Sequence, residues 1–164
     1  MKFSRFLVAV LLILISLGVN VHAHEYQSGD LLIEHPHITK PLPGAKVSAG
    51  YLEITNRGDN PERLIGVTAG FSKKSQLHSI EILDGVAKMR PVKGGIEIPP
   101  GGSVKLKKGG FHLMFMKVSD DVDVGQLRPV KLLFEKAGTI EVEMIVIEPA
   151  DLDEDDDDHS NHSD

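Results

Sequence analysis

Apolar and polar residues alternate with a period of two through the middle of this chain, and Gly- or Pro-containing turn signals interrupt the alternation at short intervals. The pattern is typical of β-strands, because successive side chains of a strand point to opposite faces of the sheet. Helical stripes are absent. The pattern therefore predicts an all-β protein, built as a Greek-key sandwich or barrel.

About nine strands are predicted on this basis. They cover Leu31 to His35, Val47 to Asn56, Arg63 to Thr68, Leu77 to Leu83, Val86 to Val92, Ser103 to Leu106, His112 to Val118, Val130 to Lys136 and Thr139 to Ile147. The turn signal Asp84-Gly85 between the fourth and fifth of these strands predicts a two-residue hairpin of type I′.

The beginning of the chain has the pattern of a signal peptide. Lys2 and Arg5 precede an apolar run, and a small-residue cleavage site ends at Ala23. The run is about 14 residues long, whereas a membrane-spanning helix needs about 20, so stable membrane insertion is not expected. We expect cleavage after residue 23, a mature chain that begins at His24, and a periplasmic location.

Composition excludes several classes of protein. The sequence contains no cysteine, hence no disulfide, no lipid-attachment thiol and no thiolate metal ligand.

Residues 24–150 form one predicted domain with equal numbers of acidic and basic residues, whereas residues 151–164 carry eight acidic residues and no basic one. This last segment is predicted to be a disordered tail. A neutral domain with an acidic tail argues against nucleic-acid binding.

The segment from Phe111 to Met116 carries the first candidate for chemistry. As a strand it sends His112, Met114 and Met116 to one face, while Phe111, Leu113 and Phe115 face the core. Methionine usually fills gaps in a core. Here, however, two thioethers lie beside an imidazole on the face that points away from the core. This arrangement indicates a metal site.

The predicted hairpin supplies a second pair. If Leu83 pairs with Val86 across the Asp84-Gly85 turn, Ile80 lies opposite Met89, and His78 becomes a diagonal neighbour of Met89 on the same face. Taken singly, each of these residues has a commonplace explanation, as a solvated histidine or a core methionine. Together they give two independent pairs of histidine and methionine.

The ligand types select the metal. Thioether sulfur is a soft ligand and imidazole is borderline, which suits copper(I) better than zinc, calcium or magnesium. Methionine also suits an oxidising compartment, where paired thiols would tend to form disulfides. A blue-copper electron-transfer site is excluded because it needs a cysteine.

The spacing of these four residues resembles the motif of the PCuAC-type periplasmic copper chaperones. That motif is a His, ten residues, a Met, about twenty-one residues and His-x-Met, and His78, Met89, His112 and Met114 follow it with twenty-two residues in the second gap. The extra residue falls in the Gly-rich stretch before Phe111, where an insertion is tolerated. The resemblance extends over roughly residues 28–148 and includes Gly50 to Asn56, Arg63-Leu64, Gly109 to Met114 and Leu132 to Glu135.

The resemblance implies a cupredoxin-like fold, copper(I) bound by His78, Met89, His112 and Met114, and delivery to the CuA centre of cytochrome c oxidase subunit II or to another copper acceptor. We also expect a monomeric binding protein and not an enzyme, because the sequence shows no nucleophile-elbow motif and places no pair of carboxylates as acid and base. Met116 is a possible secondary sulfur ligand, and His159 and His162 of the tail could hold copper(II) loosely. His35 and His37 are expected to be structural, and Met144 to belong to the core.

Two alternatives remain open from the sequence. One is copper storage or resistance, in which the tail adds further sites. The other is a β-sandwich interaction module that binds no metal and whose His and Met residues are incidental.

Overall fold

The computed structural model of the chain describes residues 25–119 and 121–153. Within these ranges lie eleven β-strands and one 3₁₀ turn, Pro149–Asp153. The strands are β1 Tyr26–Ser28, β2 Leu31–Thr39, β3 Val47–Asn56, β4 Glu62–Ala69, β5 Ser72–Leu83, β6 Val86–Pro91, β7 Ile96–Ile98, β8 Ser103–Leu106, β9 His112–Val118, β10 Leu127–Phe134 and β11 Gly138–Ile147.

All nine predicted strands are present, and the all-β prediction is confirmed. The two strands that the sequence analysis missed, β1 and β7, are three residues long. Three residues are too few for alternation to be recognised. The strand β2 also runs further than predicted, because it continues through a bulge to Thr39.

The strands hydrogen-bond in the order β6-β5-β9-β3-β2-β11-β10-β4-β7, with β8 added beside β3 and β1 beside β2. One long strand, β3, pairs on the same edge with two partners: residues 47–50 with β9 and residues 52–55 with β8. The sheet thereby folds over a single core, to which every strand from β2 to β11 except β6 contributes a buried or partly buried apolar residue.

The bulge in β2 lies between Glu34 and His37, where the pairing with β3 shifts register. His35 has a positive φ of 52° there, and Pro36, which has no N–H to donate, is buried beside it. Beyond the bulge β2 pairs with β11 in parallel and keeps its pairing with β3. The bulge therefore places His37 directly opposite Tyr51.

The predicted signal peptide lies outside the described residues, and so do residues 154–164 of the predicted tail. The first three tail residues, Asp151 to Asp153, belong to the 3₁₀ turn that follows β11, and this turn spans the predicted boundary at residue 150. Among the described residues, none forms a helix long and apolar enough to cross a membrane.

Candidate metal centre

The hairpin of β5 and β6 has the predicted register. Asp84 and Gly85 both have positive φ, 54° and 76°, as a type I′ turn requires. Leu83 pairs with Val86, and Ile80 pairs with Met89. His78 lies two residues before Ile80, so it shares a face of the hairpin with Met89 and is its diagonal neighbour.

The two histidines meet across the next pair of strands. His78 on β5 pairs directly with His112 on β9, and their ring centroids lie 5.8 Å apart with an interplanar angle of 63°. The adjacent pair on the same face is Gln76 and Met114. The topology thus brings His78, His112 and Met114 together, with Met89 diagonal to His78 on the hairpin; we call these four residues the His–Met cluster.

Each imidazole has one nitrogen engaged and the other buried without a partner. Nδ1 of His112 lies 3.1 Å from the carbonyl oxygen of Gly110, and Nε2 of His78 lies 3.5 Å from Oε1 of Gln76. Nε2 of His112 and Nδ1 of His78 are buried with no hydrogen-bond partner. Because a carbonyl oxygen can only accept, Nδ1 of His112 carries the proton in the neutral ring and Nε2 keeps its lone pair.

Burial of the histidines differs from the sequence-based expectation of an exposed face. The side chain of His112 is 3% exposed and that of His78 is 9% exposed. The rings of His78, His112 and Tyr51 pack side by side on the face that was expected to be open to solvent. Each histidine ring is therefore in contact with a neighbouring ring. Met114 is half-buried, and Met89, on the edge strand β6, is 51% exposed. The opening of the cluster to solvent is therefore on the thioether side.

Phe111 was expected to face the core, and this prediction is wrong. Leu113 and Phe115 are fully buried, but Phe111 is 38% exposed. It precedes the first residue of β9 and closes the turn from β8, where its carbonyl oxygen accepts a hydrogen bond of 2.8 Å from the backbone N–H of Lys107. A residue in a turn does not follow the alternation of the strand after it.

Tyr51 is the neighbour that the sequence analysis missed. Its ring lies 6.5 Å from that of His112 and 5.5 Å from that of His37, so four rings form a continuous row across β2, β3, β9 and β5. His37 is at the far end of this row, separated from His112 by Tyr51, and its Nδ1 lies 2.8 Å from the carbonyl oxygen of His35. No sequence signal indicates which strand lies beside β9, so this row could not be found from the sequence.

The surroundings of His78 favour its neutral form. Burial lowers the pKa of His78, and the nearby charges of His112 and Lys74 lower it further. His78 therefore stays unprotonated to lower pH than a free histidine does. Burial raises the pKa of the Tyr51 phenol, and the positive charge of Lys108 opposes this effect.

The remaining candidate residues are Met116, which follows Met114 on the same face of β9, Met144, and two histidines of the tail. Met116 is half-buried on β9, opposite Lys74 on β5 and Val47 on β3. Met144 is fully buried in the core, as expected. His159 and His162 lie outside the described residues. Within residues 25–119 and 121–153, no group of three or more His, Cys, Asp or Glu could hold a metal ion.

Comparison with known structures gives the class of protein. The chain is similar to the copper-bound PCuAC domain of PmoF2, with 32% identity and a TM-score of 0.64 over 77% of this chain and 99% of that domain. It is also similar to the apo PCuAC domain of PmoF1, with 27% identity and a TM-score of 0.66 over 77% of this chain and 100% of that domain. The fold and the His–Met cluster thus define a PCuAC-type domain.

Residues 31–146 match the family described as "Putative lipoprotein LpqE-like", and the chain belongs to this LpqE-like family. A curated relative from Leifsonia xyli subsp. xyli (strain CTCB07), described as "Putative lipoprotein Lxx21020", is 29% identical over 96 residues. That alignment spans 58% of this chain and 58% of the relative.

Proposed function

We propose that this protein binds copper(I) outside the cytoplasm through His78, Met89, His112 and Met114 and transfers the ion to an apo-acceptor. The observation that carries the proposal is the pair of buried nitrogens, Nδ1 of His78 and Nε2 of His112, which have no hydrogen-bond partner. A buried polar atom without a partner is costly, and a ligand for it is the usual explanation. The similarity to a copper-bound PCuAC domain supports copper as that ligand.

The oxidation state follows from the donor set. Two neutral imidazoles and two thioethers suit copper(I), whereas copper(II) prefers nitrogen and oxygen ligands in tetragonal geometry. The hydrogen bond from Nδ1 of His112 to the Gly110 carbonyl would fix the ring orientation before the metal arrives. Gln76 would do the same for His78, less strongly, because its contact is 3.5 Å long.

The direction of transfer follows from the difference in exposure. The imidazoles are buried and Met89 is exposed, so an acceptor would approach from the β6 side and displace the thioethers first. Transfer is then a ligand exchange without redox chemistry, in which each donor of the acceptor replaces one donor of this chain. The acceptor that the PCuAC resemblance suggests is the CuA site of cytochrome c oxidase subunit II, and the protein would act as a monomeric binding protein and not as an enzyme.

A periplasmic location belongs to this proposal. The support is the signal-peptide pattern of residues 1–23 and the description of the family as a lipoprotein family. Cell fractionation with a tagged full-length chain tests it, and recovery of the protein in the cytoplasmic fraction would contradict it.

The test is a titration with copper(I) against a competing chelator under anaerobic conditions. His112→Asn and Met114→Leu each remove one metal donor, and Met114→Leu also nearly keeps the volume of the side chain; we expect each to weaken affinity by roughly 10–100-fold or more. The matched control is His35→Asn, since Asn tolerates the positive φ at this exposed position, and it should keep the wild-type affinity. Wild-type affinity in both His112→Asn and Met114→Leu would reject the proposal.

Stoichiometry separates transfer from storage. His159→Asn/His162→Asn in the full chain removes the proposed copper(II) donors of the tail. The transfer function predicts one tightly bound copper(I) ion per chain with and without these substitutions. Several ions per chain that are lost with the tail histidines would favour storage.

A further inference from the structure

The hairpin of β5 and β6 carries an apolar patch beside the His–Met cluster. Ile80 pairs with Met89, and the next pair on the same face is Ile82 with Ala87. We call these four residues the hairpin patch. It is continuous with the cluster, because Met89 belongs to both and His78 is the neighbour of Ile80 on this face of β5.

Most of the hairpin patch is open to solvent. The side chain of Ile82 is 75% exposed and that of Met89 is 51% exposed, and Ala87 is exposed as well. Single exposed apolar residues are ordinary on a protein surface, whereas adjacent ones beside a binding site mark a contact surface. The position of the hairpin patch therefore indicates a contact with another molecule.

The hairpin is also the basic part of a domain whose charges otherwise balance. Residues 72–93 contain five basic and two acidic residues, a net charge of +3, whereas residues 24–150 as a whole contain equal numbers of each. The five basic side chains are all exposed, and they are Lys73, Lys74, Lys88, Arg90 and Lys93. The positive potential around the hairpin patch favours a partner surface that carries carboxylates.

The open edge of the hairpin argues against a second copy of this chain as the partner. The edge strand β6 bears Lys88 and Arg90 and ends at Pro91, and charged residues and proline on an edge disfavour pairing with another edge. Two copies that met through β6 would also bring like charges together. A lipid surface fits less well too, because the turn at the tip exposes Asp84, whose carboxylate is costly to move into a bilayer.

We propose that the hairpin patch is the docking surface for the copper acceptor, and that the acceptor covers it with an apolar surface ringed by carboxylates. This inference rests on the proposed function and names the partner surface for it. A partner seated over Ile82 and Ala87 lies beside the exposed thioether of Met89, where ligand exchange begins.

The test compares copper(I) transfer to a protein with transfer to a small molecule. The copper(I)-loaded full chain is mixed anaerobically with a sub-saturating amount of the reduced, metal-free CuA domain of cytochrome c oxidase subunit II. It is mixed separately with the chelator bicinchoninate, which needs no docking surface. Ile82→Ser should slow transfer to the CuA domain by roughly tenfold, as expected when one apolar side chain is lost from a protein contact. The copper(I) affinity and the rate of transfer to bicinchoninate should not change.

The matched control is Ile65→Ser, which makes the same change at an isoleucine of β4 that is 50% exposed. This variant should transfer to both acceptors at the wild-type rate. Copper(I) binding with equal rates of transfer to the CuA domain in Ile82→Ser and Ile65→Ser would overturn the docking surface and leave the proposed function standing, and so would a loaded wild-type chain that transfers only to bicinchoninate. A wild-type chain that takes up no copper(I) would overturn both.

A charge variant tests the chemistry of the partner. Lys88→Glu should slow transfer to the CuA domain by about fivefold, because electrostatic complementarity acts mainly on the rate of association. Lys131→Glu makes the same change in net charge at an exposed lysine of β10 and should have little effect. Equal or faster transfer in Lys88→Glu would overturn the proposed ring of carboxylates.

Two further measurements test other occupants of the hairpin patch. Flotation of the wild-type chain with phosphatidylglycerol vesicles that is lost in Ile82→Ser would assign the patch to a lipid surface. A dimer in sedimentation that is lost in the same variant would assign it to a second copy. Either result would overturn the proposal, which expects a monomer that does not float with the vesicles.

Discussion

His78 on β5 lies directly opposite His112 on β9, with the two ring centroids 5.8 Å apart and one buried nitrogen of each ring without a partner. Two strands that are distant in the chain thus bring together two buried nitrogens, which we propose as metal donors. The ladder between β5 and β9 holds this pair in place.

Copper(I) should stabilise the native protein against heat. A ligand that binds only the folded state at 100 times its Kd adds about 2.7 kcal/mol, which corresponds to roughly 10 °C in Tm for a domain of this size. Differential scanning calorimetry with and without copper(I) measures the shift. The double variant His112→Asn/Met114→Leu should show little of it. An unshifted Tm in the wild-type chain would instead favour the interaction module that binds no metal.

The two proposed thioether ligands should contribute unequally. Met114 is held between β3 and β5, whereas Met89 lies on the exposed edge strand and loses more side-chain freedom on binding. Met89→Leu should therefore weaken copper(I) affinity less than Met114→Leu, as measured by chelator competition. Because Met89 is exposed, the same substitution should leave the free energy of unfolding within about 0.5 kcal/mol of wild type. A larger loss of affinity for Met89→Leu would contradict this order.

Gly50 is required where β3 meets β9. A Cβ at this position would lie 2.8 Å from Cε2 of Phe115, inside the core. Gly50→Ala should therefore destabilise the fold by about 1–3 kcal/mol in urea denaturation, because the core must shift to make room. The control is Gly66→Ala on β4, where the nearest atom, Cβ of Leu133, would be 3.7 Å away. Similar stability of the two variants would show that the core around Phe115 adapts freely.

Glu62 should make stability depend on acid pH. Burial alone would raise the pKa of its carboxyl, but the backbone N–H groups of Arg63, Lys136 and Ala137 donate to it and lower the pKa overall. A carboxyl with a lowered folded-state pKa stabilises the fold above its unfolded pKa of about 4.3, and this contribution is lost as pH falls through the folded value. Denaturation curves between pH 6 and pH 3 measure the loss.

The Glu62→Gln variant tests the cause. The amide has one accepting oxygen in place of two, so at least one of the three backbone N–H groups loses its acceptor, which should cost about 1–3 kcal/mol at neutral pH and flatten the pH dependence. Glu141→Gln, on an exposed carboxylate 3.7 Å from the Lys131 ammonium, is the matched control and should change little. An undiminished pH dependence in Glu62→Gln would assign the acid sensitivity to other groups.

The sequence predicted local features of this structure better than distant ones. The register of the β5–β6 hairpin was predictable because Asp84 and Gly85 specify the turn and the turn specifies the pairing. The His78–His112 pair was suggested only by the resemblance to a known motif. Which strand lies beside β9 depends on how the whole sheet assembles, and alternation within one strand says nothing about it. The same limit explains why Tyr51 was missed and why His112 was expected to be exposed.

The exposed β5–β6 hairpin has a consequence for kinetics. All six residues of β6 are exposed, and within the described residues this strand hydrogen-bonds as a ladder only with β5. Segments with few buried contacts open at a small fraction of the global unfolding free energy. Backbone amides of β6 should thus exchange with deuterium much sooner than those of β9. Fraying of this one hairpin would carry Met89 away from His78 while β9 and the core stay intact, so the rate at which an ion escapes could be set by the hairpin alone.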